Sequence, residues 1–190
     1  MSNTLTFRIS GVSPLIMHNC RLANPLDQMV KQIKEITSKR KKTDEDHELL
    51  AYLEWQGGLY HDGECPYIPG PNLNAALVAS AKKNRMGKQF QSSVLVVESK
   101  IPLEYEGPRD IEKLFKSSRF VDTRSVVVQK SRVMRTRPIF PEWSARFTVA
   151  FDSTVVNEGE VIQAAEIAGT MIGLGDYRPQ YGRFNTEVAS

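Results

Sequence analysis

The chain is 190 residues long, 41% hydrophobic and 25% charged, with a net charge of +3, an ordinary globular composition that favours neither a disordered nor a membrane class. Its length suits one decorated domain rather than two independent ones. No run approaches the roughly 18 apolar residues of a spanning helix, and the start MSNTLTFRISG lacks the basic and apolar regions of a signal peptide, so a cytosolic protein with both cysteines, Cys20 and Cys65, reduced is expected.

Residues 4–12 (TLTFRISGV) alternate Leu5, Phe7 and Ile9 with polar neighbours, the two-residue period of a half-buried strand. Asn24-Pro25 reads as a cap and a first-turn proline, followed by Leu26, Met29, Val30, Ile33 and Ile36 at helical spacing. After the basic break at 39–42, Thr43 and Asp46 have the spacing of a capping box, and Leu49, Leu50, Leu53 and the Gly57-Gly58 stop outline a second helix. These two helices read as an antiparallel insertion. Asn72 is placed to cap an alanine-rich helix running to about residue 84, and residues 93–101 (SVLVVESKI) read as a strand. A long excursion follows, with a Gly107-Pro108 turn, a short helix at 111–115 and two strands at 120–129 and 132–140. Residues 143–151 alternate as a further strand, 158–172 have helical periodicity, and a glycine-rich stretch leads to a last strand near 181–188.

Without its insertions, at about 20–58 and 104–140, the single domain 1–190 has the order strand, helix, strand, strand, helix, strand. That is the α+β, ferredoxin-like β-α-β-β-α-β motif, also used by RNA-recognition-motif proteins. The aromatic-rich signature those proteins carry on their strands is missing, so base stacking on the open sheet face is not expected. Charge directs attention elsewhere. Residues 116–137 hold seven basic residues against the single acid Asp122, a net +6, which leaves about −3 for the rest of the chain. Such a concentration suits an anion-binding surface or, equally, a solvated hairpin.

Two stretches, "YIPGPNLNAAL" opening the first core helix and "GLGDYRPQYGRF" between the second core helix and the last strand, together resemble the RAMP superfamily of CRISPR-associated RNA-binding proteins, in particular the repeated backbone subunits of effector complexes. The chain also resembles short bacteriophage-encoded proteins. The resemblance covers about half the chain and leaves both insertions unassigned. It implies that the glycine-rich loop and the first-helix turn approach an RNA backbone, that the excursion is a thumb wedging against the strand, and that protomers assemble. Where the family often has two serines, a lysine and a glycine, this sequence has Pro71, Asn72, Asn74 and Ala75, so Asn72 and the nearby Lys82 and Lys83 are the substitutes.

The residues themselves allow the same chemistry. Gly173 and Gly175 permit backbone conformations that expose amide donors, and Arg178 and Arg183 can fork onto phosphate oxygens. The bland alternative is a helix-to-strand corner with Gly173 as C-cap. In the excursion, Arg124, Lys130, Arg132, Arg135 and Arg137 are the candidate contacts, with Arg135 and Arg137 on one strand face and Arg132 on the other. No HExxH, paired CxxC, P-loop or GxSxG motif is present. His18 with Tyr60 or a lysine could serve an acid-base ribonuclease, and Asp27 lies where some RAMP proteins carry a metal-dependent cleaving aspartate, but a satisfied loop histidine and a dipole-compensating acid explain them. The sequence therefore predicts a non-enzymatic, cofactor-free, oligomeric binder of single-stranded nucleic acid, RNA ahead of DNA, in the cytoplasm of a bacterial host if phage-encoded. The alternatives are a nucleotide sponge or sensor, a mimic of CRISPR effector subunits, and, behind these, a metal-independent endoribonuclease.

Overall fold

The computed structural model describes residues 2–128 and 130–189. It mixes helix and sheet. In chain order come β1 (Ser2–Gly11), β2 (Leu15–Ile16), α1 (Gln28–Ser38), α2 (Asp44–Gly58), β3 (Tyr67–Pro69), α3 (Gly70–Ala81), α4 (Gly87–Ser93), β4 (Val94–Val96), β5 (Lys100–Pro102), α5 (Ile111–Lys116), β6 (Val121–Val128), β7 (Ser131–Phe140), β8 (Ser144–Asp152), α6 (Glu158–Ile167) and β9 (Phe184–Val188).

The alternation seen in the sequence builds the main sheet, whose order is β4-β8-β1-β9 with every pairing antiparallel. Phe7 and Ile9 of β1 point to the same buried face as Ala145, Phe147, Val149 and Phe151 of β8, because side chains two residues apart share a face. Phe7 is directly opposite Phe147, their ring centroids 5.6 Å apart, a pairing worth about 0.5–1.5 kcal/mol beyond the area it buries. The cover over this face comes from α3 and α6, whose buried Ala76, Ala164 and Ala165 let the helices approach closely. A π-helical turn, Ala168–Ile172, ends the second of these helices. The opposite face of the sheet is polar, with Arg8 paired in register to Arg146.

The excursion is the long β6–β7 hairpin, extended at its base by β2 into a second sheet of order β2-β7-β6. The 120–129 expectation includes Gln129, which lies outside the described residues. Helix α2 packs on β7, and the buried Trp55 indole N–H donates to the Phe120 carbonyl at 2.8 Å. The Thr43/Asp46 capping box is formed.

Several local expectations are corrected. Helix α1 is capped by Asp27, whose carboxylate accepts the Met29 N–H, while Asn24 makes a turn before it, accepting the Leu26 N–H. Helix α3 begins at Gly70 without a side-chain cap, so Asn72 sits inside its first turn. Residues 93–101 are not one strand. Helix α4 occupies 87–93, and the chain leaves the main sheet after β4, where Glu98 turns back to accept the Thr148 N–H at 2.9 Å. No described helix is long and apolar enough to cross a membrane.

Candidate nucleic-acid interface

The loop that follows α6 is built by its glycines. Gly175 and Gly182 adopt φ of +72° and +71°, and a Cβ on them would lie 2.2 Å from the Ile16 carbonyl oxygen and 1.8 Å from that of Leu174. Only glycine fits either place. The loop is thereby laid on the segment leading into β2: the Asp176 N–H donates to the Ile16 carbonyl and the Gly182 N–H to the Pro14 carbonyl, each at 2.8 Å. Gly173, at φ +75°, ends the π-helical turn as the expected C-cap. Most amides of the loop are used internally. Among the described residues, the N–H groups of Gly175 and Arg178 make no hydrogen bond to the protein.

The loop is also clamped to the hairpin. The Arg124 guanidinium, held by Asp122 through Nε at 2.7 Å, lies 4.9 Å from the Tyr177 ring centroid and 4.8 Å from that of Tyr181. Hydrogen bonding to Asp122 and Tyr181 raises its already high pKa, so it stays charged. Arg137 lies 5.1 Å from the other partner of this stack, Tyr177, and its Nε is 2.9 Å from Asp176 Oδ2. That N–H is not aimed at the oxygen, so the contact is an ion pair rather than a hydrogen bond. Arg135 pairs with the buried Glu54, which also accepts the Thr136 N–H at 3.0 Å.

These contacts revise the charge map. Of the seven basic residues in 116–137, Arg119, Arg124, Arg135 and Arg137 are ion-paired, three of them with acids from outside the window: Glu142, Glu54 and Asp176. The local excess is three rather than six. Arg135 and Arg137 are thus fastened into the protein instead of forming one side of an open grip. Lys130 and Arg132, near the hairpin tip, are exposed and without an ion-pair partner among the described residues. Arg178 is exposed and likewise unpaired, and Arg183 donates through Nε to the Pro179 carbonyl at 2.7 Å. Lys82 is separated from the site. It ends α3 ten residues beyond Asn72, roughly 15 Å along the axis.

The two sequence motifs meet in one cleft of about 330 Å³, lined by Tyr67–Pro69 and Asn72 on one side and by Leu174–Asp176 and Arg178 on the other. Gly175, Arg178 and Asn72 are therefore brought together, while Gly173 is buried with its N–H bonded to the Ala168 carbonyl. The sequence reading missed Tyr67 and gave Tyr60 only a catalytic role. The tyrosines inside YIPGP and GDYRPQY were the available signal. His18 stands between this cleft and a second of about 350 Å³ enclosed by Leu22, Val30, Ile33, Val126 and Arg135. It is exposed and makes no hydrogen bond among the described residues, contrary to the expected satisfied histidine. Desolvation by the cleft walls lowers its pKa, opposed by Asp176 and Glu54 and reinforced by Arg137 and Arg135. The Tyr60 hydroxyl accepts the Cys20 N–H at 3.3 Å, and its burial raises its pKa. No three His, Cys, Asp or Glu side chains among the described residues gather to hold a metal ion.

No protein-family profile matches the chain, and no curated protein is significantly similar to it. Among solved structures it superposes on a chain in the cryo-EM structure of the Type III-B Cmr-beta bound to cognate target RNA, with a TM-score of 0.53 and 12% identity over 98% of this chain. The fold is RAMP-like. At that identity the likeness establishes a shared RAMP-like fold and nothing finer, and this chain spans 59% of that neighbour's length. Cmr6 from Pyrococcus furiosus aligns over 98% of this chain and 99% of its own at 10% identity, but with a TM-score of 0.44.

Proposed function

We propose that this protein is a non-enzymatic binder of single-stranded nucleic acid, RNA in preference to DNA, built on a ferredoxin-like core spanning residues 1–190 with insertions at about 20–58 and 104–140. The strand lies across the glycine-rich loop and the first turn of α3 and continues to the tip of the β6–β7 hairpin. Gly175, Arg178, Arg183 and Asn72 hold it at the loop, and Lys130 and Arg132 at the hairpin. Arg124, Arg135 and Arg137 support this surface from behind, by fixing the loop and the hairpin. Protomers assemble head to tail on the bound strand.

The observation that carries this reading is the convergence of the two motifs on one cleft whose loop donors, the Gly175 N–H and the Arg178 guanidinium, have no partner among the described residues. Donors left without a partner, next to an Asp176 carboxylate already paired with Arg137, suit phosphate oxygens. The cleft's volume of about 330 Å³ also falls within the roughly 300–1,000 Å³ of small-molecule sites, which favours a second reading, capture of a free nucleotide. A fluorescence-polarisation titration over oligonucleotide length separates the two. Affinity that climbs with each added phosphate supports strand binding. Affinity already complete with a mononucleotide would replace it with the nucleotide-capture reading.

A further inference from the structure

A surface that only follows a phosphate backbone needs cations and amides. The cleft between the α3 turn and the glycine-rich loop has more than these. Besides the Gly175 N–H, Asp176 and Arg178 of the loop it is lined by two aromatic rings, Tyr60 and Tyr67, with ring centroids 5.7 Å apart. Leu15 of β2, Ile68 of β3 and Leu174 of the loop supply apolar lining. Lys100 sits 5.4 Å from the Tyr67 ring centroid. The Asn72 carboxamide, half-buried in the first turn of α3, lies beside the Tyr60 hydroxyl. A carboxamide offers both a donor and an acceptor. An inorganic anion would use neither the aromatic wall nor the acceptor.

We propose that this cleft takes one unpaired nucleobase of the bound strand. The base enters against Tyr60 and Tyr67, Asn72 hydrogen-bonds its polar edge, and the adjoining phosphate stays outside on the Gly175 N–H and Arg178. Aromatic contact is tolerant of base identity, while a carboxamide beside it gives a preference among bases. The inference rests on the strand-binding reading and adds that the bases, as well as the phosphates, are held. Each protomer thus fixes the register of the strand at one nucleotide.

The test compares a ribose-phosphate 12-mer without bases, about 12 residues being enough to cover a site of this kind, with oligouridine and oligoadenine of the same length and charge. The full-length protein and its Ala75→Trp and Asn72→Ala variants are titrated with each. Ala75 is exposed on α3 and lines the cleft, so tryptophan there blocks the cavity without entering the core. The base-containing strands are expected to bind wild type about ten-fold more tightly than the abasic strand. Ala75→Trp should abolish that difference and leave abasic affinity unchanged, and Asn72→Ala should reduce it. Equal binding of abasic and base-containing strands overturns the inference and leaves strand binding standing. A base-dependent difference that survives Ala75→Trp moves the base contact to another surface and also overturns it. Failure to bind any of the strands overturns both readings.

Discussion

Replacing the two unpaired cations of the hairpin and replacing the paired Arg137 should have opposite consequences, although all three belong to the same basic run. Lys130 and Arg132 are exposed and make no ion pair among the described residues. With Arg178 and Arg183 they supply about four phosphate contacts, and a slope of about 0.7 per contact on a single strand gives a log-log salt dependence near −2.8. The double variant Lys130→Gln/Arg132→Gln should lower that slope by about 1.4, with thermal stability unchanged. Arg137 is different. Its side chain is 13% exposed, paired with Asp176 and stacked on Tyr177, so Arg137→Gln leaves a half-buried carboxylate without its partner and loosens the loop. A cost of about 1–3 kcal/mol is expected, or roughly 2–12 °C in Tm for a domain of this size. The salt slope of the folded fraction should be unchanged. Fluorescence polarisation between about 50 and 200 mM salt, with melting followed by circular dichroism, reads both quantities. If Arg137→Gln melted like wild type and lost slope, while the Lys130/Arg132 variant did neither, the assignment of paired and free arginines would be wrong.

Gly175→Ala should destabilise the fold whatever the loop binds, because φ is +72° and the new methyl would meet the Ile16 carbonyl; Arg178→Ala should instead melt like wild type and lose affinity, a contrast read by differential scanning calorimetry beside the binding curve. Acidification below the ordinary histidine value of 6.5 should strengthen binding, because desolvation keeps His18 neutral in the free protein and a nearby phosphate favours its charged form. The linked stability has the opposite sign: it is complete above 6.5 and declines as pH falls toward the lowered pKa, so His18→Gln should flatten both the binding and the melting profiles. Sedimentation should show assemblies larger than the 21.4 kDa protomer that grow with oligonucleotide length, and a strict monomer throughout would remove the assembly proposal.

The parts of this fold written in local pattern were legible. Alternation at Phe7 and Ile9 and at Phe147, Val149 and Phe151 located the two central strands, and the Thr43/Asp46 pair located the start of α2. Strands β2 and β3, of two and three residues, are too short to have a period. Residues 93–101 misled because they contain the β-branched run of a strand, while their course depends on Glu98 reaching across to Thr148. The site was legible to the same extent. Both motifs were visible as strings whose order pointed to one surface, yet only folding brings Asn72 to Arg178 around one cleft. Charge misled most. Arg135 finds Glu54 across 81 positions, and Arg137 finds Asp176 across 39, partners that lie outside the basic window. The glycines that suggested an open cradle of amides are instead required by the loop's close contacts, leaving among the described residues two unused loop amides, those of Gly175 and Arg178.

Photo-crosslinking a thiouridine-containing strand to the full-length protein, with the attachment sites mapped by mass spectrometry, tests the location of the interface most directly. The expected crosslinks fall at Tyr60 and Tyr67, within residues 173–178 and at the hairpin around Lys130 and Arg132, and excess unlabelled strand removes them. Crosslinks confined to the polar face of the main sheet around Arg8 and Arg146, or to the outer surface of α6, would contradict the account.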